Sequence, residues 1–497
     1  MNRSSFFKWI ITIAILVIVI GLSIALGISS LVHPANLSVK SISDGSGGSI
    51  LVWHENDMLY AQRIGTEGKT IWKPGGVAIC TDSMEPRRFS VHSDGMGGAF
   101  ITWDNWANLP DDRSIPGYFG PIPVYTQRLS SVGEPLWDKI GIASGITQRY
   151  GNDFPVLLTD GNGGAFVIWD DFASGEKGVE NHQLRLQRVN PDGGYVWENN
   201  GILIQPPTLL RETAVTVANQ VVEQYKGTYD MVEDGAGGVI VAWSTYVKPV
   251  GEQYIYKTYA QRVNGEGEFL WEAGNIPVFE APRSQPLTHA IGDESGGVII
   301  VIGASGNDYK AQRIGNKGNK LWQDGGVNLG EEITQIVSDG TGGVFLTQMN
   351  WHPSIPDSPN DLCIQKIGPD GQMLWSKQNV TSVTGEEMLK AAISSDGNGG
   401  AIIAWVPCDR GGKSKGALFL QKLDANGNKG WGEDGIRAFE ENETRYQDSP
   451  AVISDNAGGA IIRAACGNTS SRMDSVRVQH FDAEGNALWN AGIDINN

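Results

Sequence analysis

Two pairs of adjacent carboxylates, Asp111-Asp112 and Asp170-Asp171, are the groups in this chain best suited to acid–base chemistry. A glycoside hydrolase or lyase needs an acid and a base about 5–10 Å apart across the scissile bond, and distant parts of a chain can supply them. Arg113, Tyr118, Phe119 and Phe172 stand beside these pairs, while Trp106 and Trp351 each lie twelve residues after a repeated aspartate, with His352 next to the latter. Tryptophan and tyrosine with arginine and aspartate serve equally well to hold a sugar or a protein surface. They also serve to pack a long loop against itself, which requires no ligand. These residues together form a candidate binding site, and none is assigned a catalytic role.

Other chemistries find no support in the spacing. The seven histidines, at 33, 54, 92, 181, 289, 352 and 480, show no HExxH pattern and no sequence link to a nucleophilic Ser or Cys. Cys80, Cys363, Cys408 and Cys466 lack the close spacing of a zinc site or a redox pair, although Cys408 and Cys466 stand where neighbouring repeats could bring them face to face. No metal and no cofactor is expected.

The elements that position these groups are written eight times. Asp44, Asp94, Asp160, Asp234, Asp293, Asp339, Asp396 and Asp455 each precede a glycine pair at the fourth and fifth positions of a turn, and an apolar run such as AFITW (99–103) follows. A Gln with a basic partner comes next: Gln62-Arg63, Gln127-Arg128, Gln187-Arg188, Gln261-Arg262, Gln312-Arg313, Gln365-Lys366, Gln421-Lys422 and Gln479-His480. Each repeat then reaches a turn glycine and a tryptophan, at 72, 137, 197, 271, 322, 375, 431 and 489. A phosphate loop is excluded, because no Lys-Ser/Thr follows the glycines and a strand, not a helix, comes after them. A sialidase-type Asp box places its Gly two residues after the Asp; here the Gly, where present, comes one residue after. Calcium binding is the weaker reading of the turns, since one carboxylate falls short of the six to eight oxygens that Ca²⁺ takes.

Each repeat holds four short β segments. In the second these are 89–93, 99–103, 124–129 and the stretch EPLW at 134–137. Four strands per repeated unit, in series, specify a propeller blade. The expected fold is all-β, an eight-bladed β-propeller of four-stranded blades preceded by one N-terminal transmembrane helix. Each repeated Asp should meet its own blade's basic residue, Asp94 with Arg128 for instance, and each repeat Trp should wedge between blades at the end of the outer strand. Because strands alternate in direction, the Asp-Gly turns and the tryptophan turns should share one uniform face. The mid-blade and inter-blade connections then share the other, where lengths vary and binding usually resides. Trp106 and Trp351 fall outside the repeat pattern and should project there. Residues 202–228 form an inter-blade insertion in which Leu210, Ala214, Val217, Val221 and Tyr225 have helical spacing, although the β-branched content leaves a strand open.

The tryptophan turns carry a resemblance. LDANGNKGW (423–431), IGPDGQMLW (367–375) and FDAEGNALW (481–489) resemble the tryptophan-docking repeats of eight-bladed quinoprotein and outer-membrane-assembly propellers, about a dozen residues per repeat. The Thr that usually precedes the Gly in that family is missing. The resemblance implies an eight-bladed ring and little about activity, and the adjacent Cys pair of quinoprotein dehydrogenases is not found.

Charge and hydropathy set the partners. A formal charge of −18 over 497 residues argues against nucleic acid, which requires a basic face. Trp9 to Val32 run for 24 residues without a charge, about 36 Å as a helix, after Arg3 and Lys8. Residues 1–8 are thus expected to be a cytoplasmic stub, 9–32 a signal-anchor and 33–497 an extracytoplasmic propeller, by the positive-inside rule. Cleavage near Ser23-Ile24-Ala25 would instead release a secreted protein. The functional expectation is a membrane-anchored scaffold that binds a protein or polysaccharide through its irregular face. The alternative is a carbohydrate-active enzyme using the carboxylates there.

Overall fold

The computed structural model describes residues 39–495 apart from connecting stretches, the longest being 106–121, 205–222, 351–360 and 378–387. The chain divides into two units, 1–38 and 39–497, of which the second carries the described structure. Its thirty-two described strands form eight four-stranded antiparallel sheets, each built from four consecutive strands in sequence order. No described sheet borrows a strand from the far end of the chain. The second strand of blade 2 (Ala99–Asp104) is buried along its whole length. A blade flanked by two others has no wet face, so its central strands read as continuous apolar runs rather than as alternations. The apolar clusters accordingly join neighbouring blades: Ile50, Val52 and Trp72 of the first pack with Phe89, Ile101 and Trp103 of the second.

The Asp-Gly turn locks the first two strands of each blade. Asp94 Oδ1 accepts the amides of Met96 and Gly98 at 2.9 and 2.8 Å, and Asp94 Oδ2 accepts Arg128 Nη2 at 3.1 Å. Gly97 has φ +85°, and a Cβ on Gly98 would lie 2.1 Å from the carbonyl oxygen of Leu129. Both positions therefore require glycine. The expected pairing holds in every blade, through Arg63, Arg128, Arg188, Arg262 and Arg313, then Lys366, Lys422 and finally His480. Each repeated carboxylate is thus tied both to its own turn and to its own basic residue.

The outer strand is not where the sequence placed it. In blade 2 the fourth strand is Ile142–Thr147, and EPLW contributes only an isolated bridge between Leu129 and Pro135. The chain leaves the ladder at the tryptophan because Gln127 takes over the bonding: its Oε1 accepts Trp137 N at 3.2 Å and its Nε2 donates to Asp138 O. Tryptophan therefore ends the turn before the outer strand. Blade 6 departs from this, with Trp375 inside the strand Met373–Lys377 and Gln365 donating instead to Gln348. Tyr225 lies in the first strand of blade 4, Glu223–Glu233, so the helical pattern does not extend to it; 205–222 lie outside the described residues.

The same residues join blade to blade. Trp72 Nε1 donates to Ser131 O of the next blade at 2.9 Å, and Arg63 Nη1 reaches the same oxygen at 3.2 Å. The Trp72 ring lies on Gly133, where a Cβ would come within 2.7 Å of it. Each arginine and lysine thus bridges its own Asp-Gly turn to a turn of the next blade, which places both turn classes on one face. At the seam between blades 8 and 1, Trp489 Nε1 donates to Thr66 O at 2.8 Å and its ring covers Gly68. His480, shorter than arginine, bonds its own Asp455 at 3.0 Å, and no described bond carries it across to blade 1. The seam thus has the tryptophan bond without a described bond from the basic residue. The joint of blades 3 and 4 is the converse, with Arg188 donating to Gly265 O while Trp197 Nε1 has no partner among the described residues. Trp489→Ala and Trp322→Ala should each cost about 3–5 kcal/mol by truncation of a buried aromatic. Trp489→Ala should in addition open the ring, lowering the urea midpoint further and speeding amide exchange in blade 1. Equal midpoints and equal exchange for the two variants would show that the seam is no weaker than the other joints.

Candidate functional site

The structure separates the sequence candidates. Trp106, Asp111, Asp112, Arg113, Tyr118, Phe119, Trp351 and His352 lie outside the described residues. Asp170, Asp171 and Phe172 are not in a projecting connection. They continue the second strand of blade 3 (Ala165–Ser174) and pair with Leu184, Gln183 and His182. Asp170 is buried, as is Asp104 at the same place in blade 2. Asp104 forms an ion pair with Arg88 and accepts its backbone amide at 2.8 Å. A carboxylate on this blade position is thus buried at the end of the second strand. Cys466 is buried with Sγ 3.9 Å from Ala464 O, and the Cys408 side chain is not described.

Below the irregular face sits a layer of indoles. Trp53, Trp103, Trp243 and Trp405 stack on Tyr60, Tyr125, Tyr259 and Phe419 with centroids 5.8–6.0 Å apart. The Nε1 groups of Trp103, Trp169 and Trp243 are buried without a partner among the described residues. Leaving such a donor unmatched costs about 1–3 kcal/mol. These rings form a rigid apolar floor to the irregular side of blades 2 to 4.

A second polar locus lies on the axis, and sequence reading passed over it. The first strands of successive blades touch one another all the way round, including the first against the eighth, so their inner edges line the central channel. Four residues before each turn Asp, these strands carry Lys40, Ser90, Val156, Asp230, His289, Gln335, Ala392 and Ala451. Lys40 and His289 are exposed to solvent, yet desolvation lowers the pKa of both. Exposure together with enclosure is what a narrow lumen produces. Lys40 Nζ stands 5.5 Å from the Phe89 ring centroid. Asp230 accepts Met231 N and, across to blade 5, Ala290 N, both at 2.9 Å. Enclosure nonetheless outweighs those bonds and pushes its carboxyl up to about 6. At the mouth beside the Asp-Gly turns, His92 Nε2 of blade 2 lies 3.9 Å from Glu233 Oε1 of blade 4. The signal was present in the sequence: charged residues stand at repeat positions that other copies fill with Ser, Val or Ala.

No protein-family model matches the chain, and no curated protein matches it. Among solved structures it is similar to prolyl oligopeptidase B from Galerina marginata, at 8% identity and a TM-score of 0.41, over 86% of this chain and 55% of that one. The chain thus spans about half the length of that protein. It is also similar to an α-L-arabinanase of Penicillium chrysogenum (13% identity, TM-score 0.34, 70% and 93% covered). The NanB sialidase of Streptococcus pneumoniae is a third (11% identity, TM-score 0.29, 93% and 86% covered). Likeness at these identities and scores carries no information on activity.

The Asp230 carboxyl sets a pH dependence. Its folded pKa, about 6, lies above the ordinary 3.8. Between those values the folded state holds a proton that the unfolded state releases, so this group's contribution to stability declines as pH rises from about 4 through about 6 and is then constant. Aspartates held below their ordinary value, such as Asp44, act in the opposite sense at lower pH. The readout is therefore the difference between the parent and Asp230→Asn in urea unfolding. Asn swaps one acceptor for a donor, a pH-independent offset, and the difference should change slope only between about pH 4 and 6. A flat difference across that range would show that Asp230 titrates normally.

Proposed function

We propose that this protein is a binding scaffold, held at the extracytoplasmic side of a membrane by residues 9–32, that captures a protein or polysaccharide on the irregular face of its propeller. The observation carrying this reading is the internal use of most of the repeated polar groups. Aspartate, glutamine, basic residue and tryptophan bond to one another and to the next blade, all toward the uniform face. What differs between blades is the mid-blade connection, from two residues in blade 1 (56–57) to the stretch 105–121 in blade 2. A rigid ring whose variation is confined to one side is suited to displaying contact loops. The alternative is a carbohydrate-active enzyme that uses the carboxylates of that face, Asp111, Asp112, Asp170 and Asp171.

Replacement of 106–121 by a short Gly-Ser link, and separately the double change Trp106→Ala with Trp351→Ala, should remove partner capture in a cross-linked pull-down of the full-length protein from membranes. Circular dichroism and the melting temperature should stay those of the parent. Capture that survives both changes would refute the assignment of the irregular face. Glycan turnover that requires Asp111 would instead favour the enzyme.

A further inference from the structure

Arg463 is the one charged residue at its place in the repeat. Eight residues after the turn Asp, the other copies carry Val52, Thr102, Ile168, Ala242, Val301, Thr347 and Ala404. A blade of this kind is therefore built without a cation there. Arg463 lies on the second strand of blade 8 (Ala460–Gly467), opposite Ala451 of the first strand, whose small side chain leaves room over the inner edge of the sheet. The side chain crosses the seam, and Nε donates to Ser41 Oγ on the innermost strand of blade 1 at 3.3 Å. It is 9% exposed, and among the described residues it has no ion pair and no other hydrogen bond. Desolvation alone holds its guanidinium down, at about 10.

A buried guanidinium with one long hydrogen bond is expensive to keep, and buried charges are ordinarily paired. The nearby cation deepens the imbalance. Lys40 precedes Ser41 on the same strand and faces the lumen from its other side. Of the innermost-strand carboxylates whose side chains are described, Asp230 and Glu233 belong to blade 4, half a ring away from blade 8, while Asp448 stands on the innermost strand of blade 8, opposite Ala465. Among the described side chains the seam thus presents a guanidinium held at the Ser41 hydroxyl, with no described carboxylate against it.

We propose that Arg463 and Ser41 form an oxyanion-binding site at the seam of the propeller, reached from the axial channel, that takes the carboxylate or phosphate of a small ligand. Arg463 supplies the paired donors suited to a two-oxygen anion, Ser41 holds Nε so that the fork faces inward, and Lys40 adds potential without contact. The site is separate from the irregular face, so its failure would leave the scaffold reading intact.

The test is the melting temperature of the full-length protein in detergent, with glucuronate, inorganic phosphate or chloride added at matched ionic strength. Glucuronate or phosphate should raise it in a saturable manner and chloride should not, because a ligand of the folded state alone stabilises by mass action. A response to glucuronate alone marks a carboxylate ligand, and one to phosphate alone a phosphorylated ligand. Arg463→Met should abolish the rise, while the ligand-free variant melts no lower than the parent, since an uncompensated charge has been removed. Arg463→Lys should retain the charge but weaken binding by at least about tenfold through loss of the fork. No rise with either oxyanion in the parent overturns the proposal, whatever the variants do. A rise that persists unchanged in Arg463→Met overturns it equally.

Discussion

The ring depends on a buried carboxylate and the cation that neutralises it. Asp44 is 1% exposed, and its two oxygens receive two turn amides and the Arg63 guanidinium. Removing the cation would strand the carboxylate in the turn, at a cost of about 3–5 kcal/mol. The arginine is a bridge as well as a counter-ion, for its remaining nitrogens reach a carbonyl of the next blade, and in blades 1, 4 and 5 the tryptophan donates to that same carbonyl. Local turn geometry and the joint between blades are consequently one interaction. The stability of the ring is then close to a sum of like joints between neighbours.

The joints are not equal. Arginine closes the first five, lysine the next two at 3.6 and 3.8 Å from its Asp, and histidine the last. Lysine is a point charge that still donates across, from Lys366 to Gly399 O and from Lys422 to Gly458 O. Histidine does not reach blade 1. Among the described bonds the basic residue fails to bridge only at the seam, where the first and last blades meet without exchanging a strand. Trp489 on Gly68 carries the closure, and Arg463 adds a single contact to Ser41 nearer the axis.

Much of this was legible in the sequence because the repeat spells out pairwise chemistry eight times. Asp94 with Arg128, the division of the turns between two faces, and the blade count all follow from residue spacing and strand alternation. The outer strand was misplaced because EPLW reads as a short β segment, whereas the side chain of Gln127 competes for the Trp137 amide and draws the chain off the ladder. Propensity cannot register a side chain that replaces a backbone partner. Asp170 reads as one of a carboxylate pair in a connection, yet the hairpin of blade 3 extends past it to Ser174 and buries it. Nothing in the sequence marks where such a ladder ends.

Repeats also supply the comparison that a single sequence otherwise lacks. Where eight copies agree, the residue is explained by the ring: the aspartates, glutamines and tryptophans are consumed in joints. Where one copy departs toward charge, the joint shared by all blades does not account for it. Lys40, Asp230, His289 and Arg463 all depart in this way, and all fall on or beside the innermost strands. A burial cost accepted four times in that one region, against neighbours that manage with Ser, Val and Ala, is not expected of sites under structural demand alone. The disagreement among copies therefore separates two surfaces with different physics. The irregular face varies in length, which alters shape, while the channel keeps its length and varies in charge, which alters the sign of what can enter.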